Sequence, residues 1–451
     1  MRKTRFVLLS MALILVPALI IGCSQSTQGL GSSSVEPIVI GYVGSISGPG
    51  TKPCIDAQKM AVEEINAAGG ILGRPIKYMV EDTKGETSLA VAGVTRMVMG
   101  HKAVFYCVEG RTEIAMATKQ KTIELYKDFP HIMEANGAAG VEVTESVINN
   151  YDREKMIFRL FNPEPGHFAY ASTIFTISDH SRMKLANFMP KKWAILYENL
   201  AWTLLFRNGG PAWNLPTWDQ MARDDYGIEV VYSKPVSART GMWLPILDAV
   251  SKSGAEFIFV VSSWFTDTEV LAKQWADSPA RDIQIYFYGG VSQTHDFWKM
   301  TGGKALGALT GAYEVPITEN TMPFVEKAKA RGIPVQQHVA CAYDDVYMLK
   351  KSIEVASGAD DVDRLISAME QAEFDGVIGL CKVEMTKVPG FFHSRVTADP
   401  NNPKKELDRG LKTGQAQVQA NGEYVSMWPE QYAQYDRYKP PAQLRAEAGI
   451  K

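Results

Sequence analysis

The sequence is short of the groups from which metal and redox sites are built. Its 451 residues include five cysteines and seven histidines. No CxxC pair occurs, and the histidines stand singly along the chain. Zinc sites need such ligands in closely spaced pairs. The sequence therefore predicts no metal site and no cofactor.

Catalytic signatures are missing as well. The HExxH zinc motif, the GxSxG nucleophile turn and the GxxxxGK[ST] phosphate loop do not occur. Gly302-Gly303-Lys304 shares only part of a phosphate loop, without its Ser or Thr. We therefore expect a protein that is not an enzyme.

The charge is nearly balanced, with 47 Lys and Arg against 50 Asp and Glu. Nucleic acid binding needs a basic surface, so this balance argues against a nucleic acid partner. Beyond residue 23 no apolar run approaches the roughly 20 residues that a membrane-spanning helix needs. The body of the chain is therefore expected to lie outside the lipid bilayer.

The first 23 residues combine a basic start with an apolar run. Arg2, Lys3 and Arg5 precede the apolar residues 6–21, and Gly22-Cys23 follow. This order resembles the signal peptide of bacterial lipoproteins. It predicts removal of residues 1–22, lipidation of Cys23 and a flexible Ser/Gly-rich tether over 23–35. A plain secretory signal or a single membrane anchor are the alternatives.

Short apolar strands then alternate with helical patterns. A strand at 37–43 is followed by a helix at 56–67, and the alternation restarts at 193–197. Such alternation predicts an α/β protein with parallel strands, helices on both faces and two doubly wound lobes. Residues 399–405 are expected to form a surface loop, and 416–428 a final pair of strands.

One block of residues carries a family resemblance. Residues 61–73 read AVEEINAAGGILG and follow IGYVGSISG at 40–48. With YDDVY at 343–347 and FDGVIG at 374–379, this block resembles the leucine/isoleucine/valine-binding family of solute-binding proteins that serve ABC transporters. The resemblance spans about residues 38–380.

The resemblance implies the periplasmic binding protein type I fold, with three hinge strands joining the lobes and a ligand cleft between them. Lobe one would hold residues 36–157 plus 315–375, and lobe two 158–314 plus 376–451. Together with the lipoprotein-like start of the chain, it implies a lipid-anchored protein on the periplasmic side of a bacterial membrane, or on the outer face of the cell membrane in a single-membrane bacterium.

The implied function is capture of a small amino-acid-like, carboxylate or amide solute and its delivery to ABC permease subunits. Two alternatives remain open. The closed form could be read by a receptor, which would make the protein a sensor, or the fold could serve an exported enzyme.

The implied ligand site begins with three loops of lobe one, at 45–50, 109–113 and 136–140. The first contributes Ser47. The second contributes Thr112, whose hydroxyl would hold a ligand carboxylate. It also contributes Arg111, which is an addition to the family's pattern. Arg111 could pair bidentately with that carboxylate or instead bind Glu109 or Glu113. The third contributes residues that offer mainly backbone groups: Asn136, Gly137, Ala138 and Ala139.

In lobe two, Trp202 and Trp264 align with aromatic residues that cover the ligand in the family, or else belong to the core. Amino-acid binders carry an acid near the position of Val291, and this chain has none there. An unmodified α-amino acid is therefore disfavoured unless Glu109 or Glu134 substitutes, because burying an unpaired ammonium is costly.

Two features are harder to assign from the sequence. On the implied fold Cys54 and Cys107 lie close enough to pair, as do Cys341 and Cys381, while free buried thiols are the alternative. The Trp-, Gly- and Pro-containing insert at 206–218 is expected to be a packed surface flap, with a lid or a partner-facing loop as the alternatives.

Overall fold

A computed structural model of the protein describes residues 35–161, 190–209, 216–237, 239–388, 391–399, 402–406 and 409–450. The predicted signal peptide, Cys23 and most of the tether lie outside these residues, as does the central part of the insert at 206–218. In the part of the chain that the structure describes, no helix has both the length and the apolar character needed to cross a membrane.

The first sheet has five parallel strands in the order β2-β1-β3-β4-β5. They are β1 Ile38–Gly44, β2 Ile76–Asp82, β3 Phe105–Val108, β4 Ile132–Ala135 and β5 Ile157–Phe158. The helices of this part are α1 Thr51–Ala67, α2 Thr87–Thr95, α3 Thr112–Tyr126, α4 Glu142–Glu145 and α5 Tyr151–Glu154.

Helix α1 shows how the sequence builds these elements. Its buried face includes Met60, Ala61 and Ile65, at helical spacing. The chain leaves the helix through Gly69 and Gly70, whose φ angles of 100° and 78° favour glycine. The helix begins five residues before the predicted start at 56, at the carboxyl end of β1, so its N-terminus lies beside the sheet edge.

The second sheet has seven strands in the order β16-β15-β10-β9-β8-β6-β7. They are β6 Lys192–Glu198, β7 Glu229–Val236, β8 Phe257–Val261, β9 Gln284–Tyr288, β10 Leu309–Gly311, β15 Gln415–Val418 and β16 Tyr424–Trp428. Strands β6 to β10 are parallel, and β15 and β16 add antiparallel strands at one edge. The helices are α6 Leu204–Asn208, α7 Trp218–Tyr226, α8 Leu244–Lys252, α9 Thr268–Ala276 and α10 Asp296–Met300.

The parallel parts of the two sheets repeat one topology. The order β7-β6-β8-β9-β10 has the same form as β2-β1-β3-β4-β5. In both, the direction of winding changes between the first and third strands, β1 and β3 or β6 and β8. Ligands of doubly wound sheets bind at the carboxyl ends of strands at this switch point. The predicted α/β fold with doubly wound sheets is confirmed.

The remaining elements lie mainly beside the first sheet. They are α11 Thr321–Ala330, α12 Gln337–Ala356, α13 Val362–Met369, the hairpin of β11 Glu373–Gly376 and β12 Gly379–Lys382, the hairpin of β13 Ala398–Asp399 and β14 Asn402–Glu406, and α14 Pro441–Glu447. The predicted loop at 399–405 is wrong, because 402–406 pairs with 398–399 as an antiparallel strand.

Three hydrophobic clusters fill these layers. One joins the first sheet to buried residues of α11, α12 and α13, among them Phe324, Val346 and Leu365. The other two hold residues of alternating direction in β6, with Trp193 in one and Leu196 in the other. Cys381 of the β11–β12 hairpin lies in the first cluster, so the predicted lobe boundary between 375 and 376 falls inside this hairpin.

Candidate functional site

A cavity of about 590 Å³ lies along the carboxyl ends of both sheets. Residues after β1, β3 and β4 line it from the first sheet: Ser45, Glu109 and Asn136. Residues after β6, β8 and β9 line it from the second: Trp202, Ser262 and Gly289. Small-molecule sites usually have volumes of roughly 300–1,000 Å³, so the cavity has room for a whole metabolite.

Most of the predicted site residues line this cavity: Arg111, Thr112, Asn136, Gly137, Ala139, Trp202 and Trp264. Ser47, Ala138 and Val291 do not belong to the lining. Ala138 is fully buried beneath its loop, Ser47 is exposed, and Val291 packs against the core of the second sheet. Ser45 takes the place expected for Ser47, because it directly follows β1.

Arg111 stands at the entrance to α3, where its half-buried guanidinium faces the cavity. Its Nη2 donates a hydrogen bond to the carbonyl of Gly85. In the described residues it makes no ion pair with Glu109 or Glu113, the alternative raised by the sequence. The remaining guanidinium donors are therefore available to a ligand carboxylate.

Glu109 lines the cavity, but its carboxylate already serves the protein. Oε2 accepts hydrogen bonds from the backbone N–H of Ser45, at 3.1 Å, and from Thr51 Oγ1, at 3.3 Å. Oε1 accepts from Thr83 Oγ1 at 2.7 Å. Glu109 therefore ties together the loops that follow β1, β2 and β3, and three of the roughly four acceptor positions of its carboxylate are occupied.

Thr112 links the second and third loops. Its Oγ1 accepts a hydrogen bond from the N–H of Gly140 at 3.1 Å, which leaves the hydroxyl proton free to donate. No side chain caps the start of α3, and its first backbone N–H groups attract an anion. The two loops are also close, since a Cβ on Gly110 would lie 3.2 Å from the carbonyl oxygen of Gly137.

The second sheet contributes aromatic faces. Trp202 Nε1 donates to Glu198 Oε2 at 2.8 Å, and Glu198 Oε1 accepts from Ser263 Oγ, also at 2.8 Å. This network fixes the indole of Trp202 at the cavity wall. Trp264 contacts the start of α1, since a Cβ on Gly50 would lie 3.0 Å from its indole Cγ. Both tryptophans therefore present apolar surface to a ligand.

His338, at the start of α12, was not predicted. Its ring stacks on Phe161 with centroids 4.4 Å apart and planes 24° apart. A Cβ on Gly137 would lie 2.3 Å from His338 Cδ2, so only glycine leaves room for the ring. Burial lowers the pKa of His338 to about 4. The imidazole is therefore neutral at pH 7 and adds no positive charge to the site.

Behind the cavity, Cys107, Glu134 and Asp345 come together, with their potential ligand atoms within 4.8 Å of one another. These groups could hold a metal ion. Burial raises the pKa of both carboxyls, that of Asp345 to about 8, and Asp345 further raises the pKa of Glu134. The pair therefore retains a proton at neutral pH, an arrangement that also relieves the repulsion between the carboxylates. Glu134 does not line the cavity, so it is not placed to bind a ligand ammonium.

The two disulfides suggested by the implied fold, Cys54–Cys107 and Cys341–Cys381, do not form. Cys54, Cys107, Cys341 and Cys381 are all free and buried. Cys107 Sγ accepts a hydrogen bond from Gln58 Nε2 at 2.9 Å, while Cys54 Sγ donates to the carbonyl of Gly50 at 3.2 Å. These thiols act as small core groups, the alternative that the sequence left open.

Six further residues line the cavity without having been predicted from the sequence: Tyr42, Phe161, Tyr288, Gln293, Gln337 and His338. Tyr288 ends a predicted strand, a position that could have suggested it. Tyr42 lies within the predicted strand at 37–43, whereas Phe161, Gln293 and His338 have no local pattern that points to a site. Only the topology brings the start of α12 to the cavity.

The periplasmic binding protein family model matches residues 37–388. Leu/Ile/Val-binding protein homolog 3 of Brucella melitensis is 22% identical over 353 residues, 77% of this chain and 87% of that protein. The leucine-, isoleucine-, valine-, threonine- and alanine-binding protein of Pseudomonas aeruginosa is 22% identical over 355 residues, 77% of this chain and 86% of that protein.

Solved structures share the fold. A protein of Silicibacter pomeroyi described as a branched-chain amino acid ABC transporter has a TM-score of 0.71 at 19% identity, covering 90% of this chain and 99% of that chain. A solute-binding protein of R. palustris in complex with benzoate has a TM-score of 0.61 at 15% identity, covering 87% and 95%. A branched-chain amino acid binding protein of Streptococcus pneumoniae in complex with isoleucine has a TM-score of 0.60 at 19% identity, covering 84% and 100%.

Proposed function

Because the chain belongs to the periplasmic binding protein family, we propose that it captures a small carboxylate-bearing solute outside the cytoplasm and delivers it to an ABC permease. The observation that carries this ligand class is the hydrogen bonding of two charged residues of the cavity lining, Arg111 and Glu109. Arg111 offers guanidinium donors, whereas the carboxylate of Glu109 is engaged by three protein donors. The site therefore favours a ligand carboxylate over a ligand ammonium.

The carboxylate would bind at the start of α3. The first N–H groups of the helix, the Thr112 hydroxyl and the Arg111 guanidinium surround this position. Helix N-termini favour anions, and an arginine can add two parallel charge-assisted hydrogen bonds. The relatives have names that refer to amino acids, and these carry the same carboxylate.

The body of the ligand would lie against Trp202 and Trp264. Their indoles offer flat apolar surface, which suits a branched aliphatic chain or an aromatic ring. Glu113 is an acid of the lining, but it is exposed at the start of α3. Water screens an exposed carboxylate, so Glu113 is a weak partner for an ammonium. A deaminated carboxylate therefore fits better than an α-amino acid.

Binding would be coupled to closure of two lobes. The first lobe contains the first sheet with α11 to α13 and, because Cys381 shares their core, also the β11–β12 hairpin. The second lobe contains the second sheet. Trp264 already contacts the start of α1 across the cleft. A ligand held by both lobes stabilises the closed state through its higher affinity for that state, and the permease would recognise the closed form.

A thermal-shift screen tests this function. The panel holds branched-chain and aromatic amino acids, their deaminated carboxylates, and amides. A ligand at 100 times its dissociation constant stabilises the protein by about 2.7 kcal/mol. We expect carboxylates to raise the melting temperature. A rise with leucine or isoleucine alone would contradict the proposed ligand class, and turnover of a stabilising ligand would indicate an enzyme.

We also propose that the chain is anchored through a lipid on Cys23, with residues 24–35 as a tether. Cells grown with a labelled fatty acid should label the protein, and Cys23→Ser should abolish the label. Cys54→Ser is the control, because Cys54 is a buried core thiol. Equal labelling of both variants would refute the anchor.

A further inference from the structure

We propose that Glu198 is a positioning residue for ligand binding, whose buried carboxylate holds the two tryptophan-bearing turns of the second sheet as one preformed wall. Trp202 lies in the turn after β6, and Trp264 lies in the turn after β8. Both tryptophans line the cavity, whereas Glu198 does not belong to the described lining. The inference rests on the proposed capture of a solute in this cavity, and it assigns part of that capture to a residue behind the wall.

The carboxylate of Glu198 receives hydrogen bonds at both of its oxygens. Oε2 accepts from Trp202 Nε1 at 2.8 Å. Oε1 accepts from Ser263 Oγ at 2.8 Å and from Thr266 Oγ1 at 2.5 Å. Ser263 and Thr266 stand on either side of Trp264 in the sequence. One side chain therefore connects both turns, and a displacement of either turn would break bonds to Glu198.

These bonds lie out of the reach of bulk water. Glu198 is fully buried, and Thr266 is only 3% exposed. The indole N–H of Trp202 is a donor only, and the carboxylate is the acceptor that meets it. Loss of this carboxylate would deprive a buried hydroxyl and an indole of their acceptor, which is costly. The two turns would then have to shift to find other partners.

The turn after β8 is also held from its other side, by the turn after β9. The backbone N–H of Ser262 donates to the carbonyl of Tyr288 at 3.0 Å. A Cβ on Gly290 would lie 2.6 Å from the carbonyl oxygen of Ser263, so the two turns are in close contact. Strand β8 lies between β9 and β6 in the sheet. Glu198 therefore completes the anchoring of this turn on the β6 side.

A buried carboxylate has the corresponding task on the first sheet, where Glu109 ties together the loops that follow β1, β2 and β3. Strands β1 and β3, like β6 and β8, form a switch point. Glu109 follows β3, whereas Glu198 ends β6, the counterpart of β1. The two sheets therefore fix their cleft loops with carboxylates from different strands, which argues that fixed loops matter for the cleft itself.

A preformed wall lowers the cost of binding. A side chain that is mobile in the free protein must be ordered by the ligand, and holding it in place beforehand removes that cost. Glu198→Met keeps a side chain of similar size without the carboxylate, so it should weaken binding by about tenfold. Glu198→Gln should weaken binding by about threefold or less. Its carbonyl oxygen can accept from the indole, and its NH₂ group can donate to the two hydroxyls.

Titration calorimetry of the purified protein with 4-methylpentanoate, benzoate and leucine measures these losses, with whichever of the three binds the wild type. Glu154→Met is the matched control, because Glu154 is also a buried glutamate and pairs with Lys119 at 3.0 Å. Glu154 does not belong to the described lining. The control should lower the melting temperature and leave the affinity unchanged.

Hydrogen exchange without ligand provides a second readout. Glu198→Met should speed exchange of the backbone amides in both 199–203 and 262–266, because both turns lose the same anchor. Glu154→Met should speed exchange in neither segment. If Glu198→Met does not fold, Thr266→Val removes a single bond to the same carboxylate. That variant should speed exchange in 262–266 and weaken binding by about threefold.

The outcomes separate this inference from the proposed function. If leucine binds and both acids do not, the proposed ligand class is wrong, and the leucine affinities of the variants decide the role of Glu198. If none of the three probes binds, the exchange of the two turns decides it. Wild-type affinity in Glu198→Met, or a loss no larger than in Glu154→Met, would overturn the inference. Faster exchange confined to 199–203 would also overturn it, because the carboxylate would then hold only one turn.

Discussion

The two sides of the cavity use the same topology for different chemistry. The first sheet contributes polar groups, with Arg111 and Thr112 after β3 and Asn136 after β4. The second sheet contributes Trp202 after β6 and Trp264 after β8, the two strands of its own switch point. The strand order places residues at the cleft in both cases, and the loop residues decide whether the contact is a hydrogen bond or an apolar face.

This difference assigns separate tasks to the two sides. Charge-assisted hydrogen bonds depend on direction and hold the head of a ligand in one orientation. Apolar burial depends on area and rewards closure over the body of a ligand. We therefore expect the first side to determine which head group binds, and the second side to determine how much the ligand stabilises the closed form.

The largest effect is expected from removing Arg111. Arg111→Ala should weaken binding of a carboxylate ligand by about tenfold to a hundredfold, since a hydrogen bond to a charged group contributes about 1.5–3 kcal/mol. Arg239→Ala is the matched control, because Arg239 also lines the cavity but is exposed. Titration calorimetry should show a loss of about threefold or less for the control. Equal losses would mean that the head group is not held at the start of α3.

The aromatic side should have the next largest effect. Trp202→Ala should weaken binding by about tenfold, because it removes a large apolar face together with its anchor on Glu198. Trp202→Phe should retain most of the affinity. Both values come from titration with the ligand identified in the screen. If Trp202→Ala kept the wild-type affinity, Trp202 would be a core residue that does not contact the ligand.

A smaller effect is expected at the contact between the two sides. Gly50→Ala would bring a Cβ to 3.0 Å from Trp264 Cγ, so closure should be hindered and affinity should fall by roughly threefold. Gly100→Ala is the control, since a Cβ there meets nothing within 4 Å. Melting temperatures without ligand should match for the two variants. An unchanged affinity for Gly50→Ala would show that closure does not depend on this contact.

The smallest expected effect is a change in how stability depends on pH, and it comes from Asp345, behind the cavity. Its pKa is raised by burial to about 8 in the folded protein, against about 3.9 in an unfolded chain. The folded state therefore binds more protons between these values, and stability falls as the pH rises from about 4 towards about 8. Asp345→Asn should flatten this fall in melting curves between pH 5 and 8.5.

Asp360→Asn is the control for this pH dependence, because Asp360 is exposed and pairs with Arg74. It should leave the pH profile as in the wild type. If Asp345→Asn kept the full decline as well, Asp345 would not be its source.

Much of the fold could be predicted, because its elements carry local periodicity. The buried face of α1 and the apolar strands β1, β6 and β8 follow from spacing alone. The hairpin at 398–406 could not be recognised, since its strands are polar and rich in Pro and Asn. Burial of the free cysteines also depends on tertiary packing, which residue spacing does not reveal.

The candidate site divides in the same way. Arg111 and Thr112 could be found because they follow a recognisable strand and begin a helix. Gln293 and His338 could not, because each stands alone in the sequence and reaches the cavity only through the packing of distant elements. Ser47 was expected in the lining where Ser45 lies, an error of two residues that spacing within a loop cannot resolve.

The most direct test of the central claim compares leucine with 4-methylpentanoate, which has the same carbon skeleton without the ammonium. Titration calorimetry of the purified protein should show the deaminated acid binding at least about tenfold more tightly, because the cavity offers a cation for the carboxylate and no unengaged buried acid among its described lining residues. Tighter binding of leucine would contradict the account and would show that a residue such as Glu113 pairs with the ammonium.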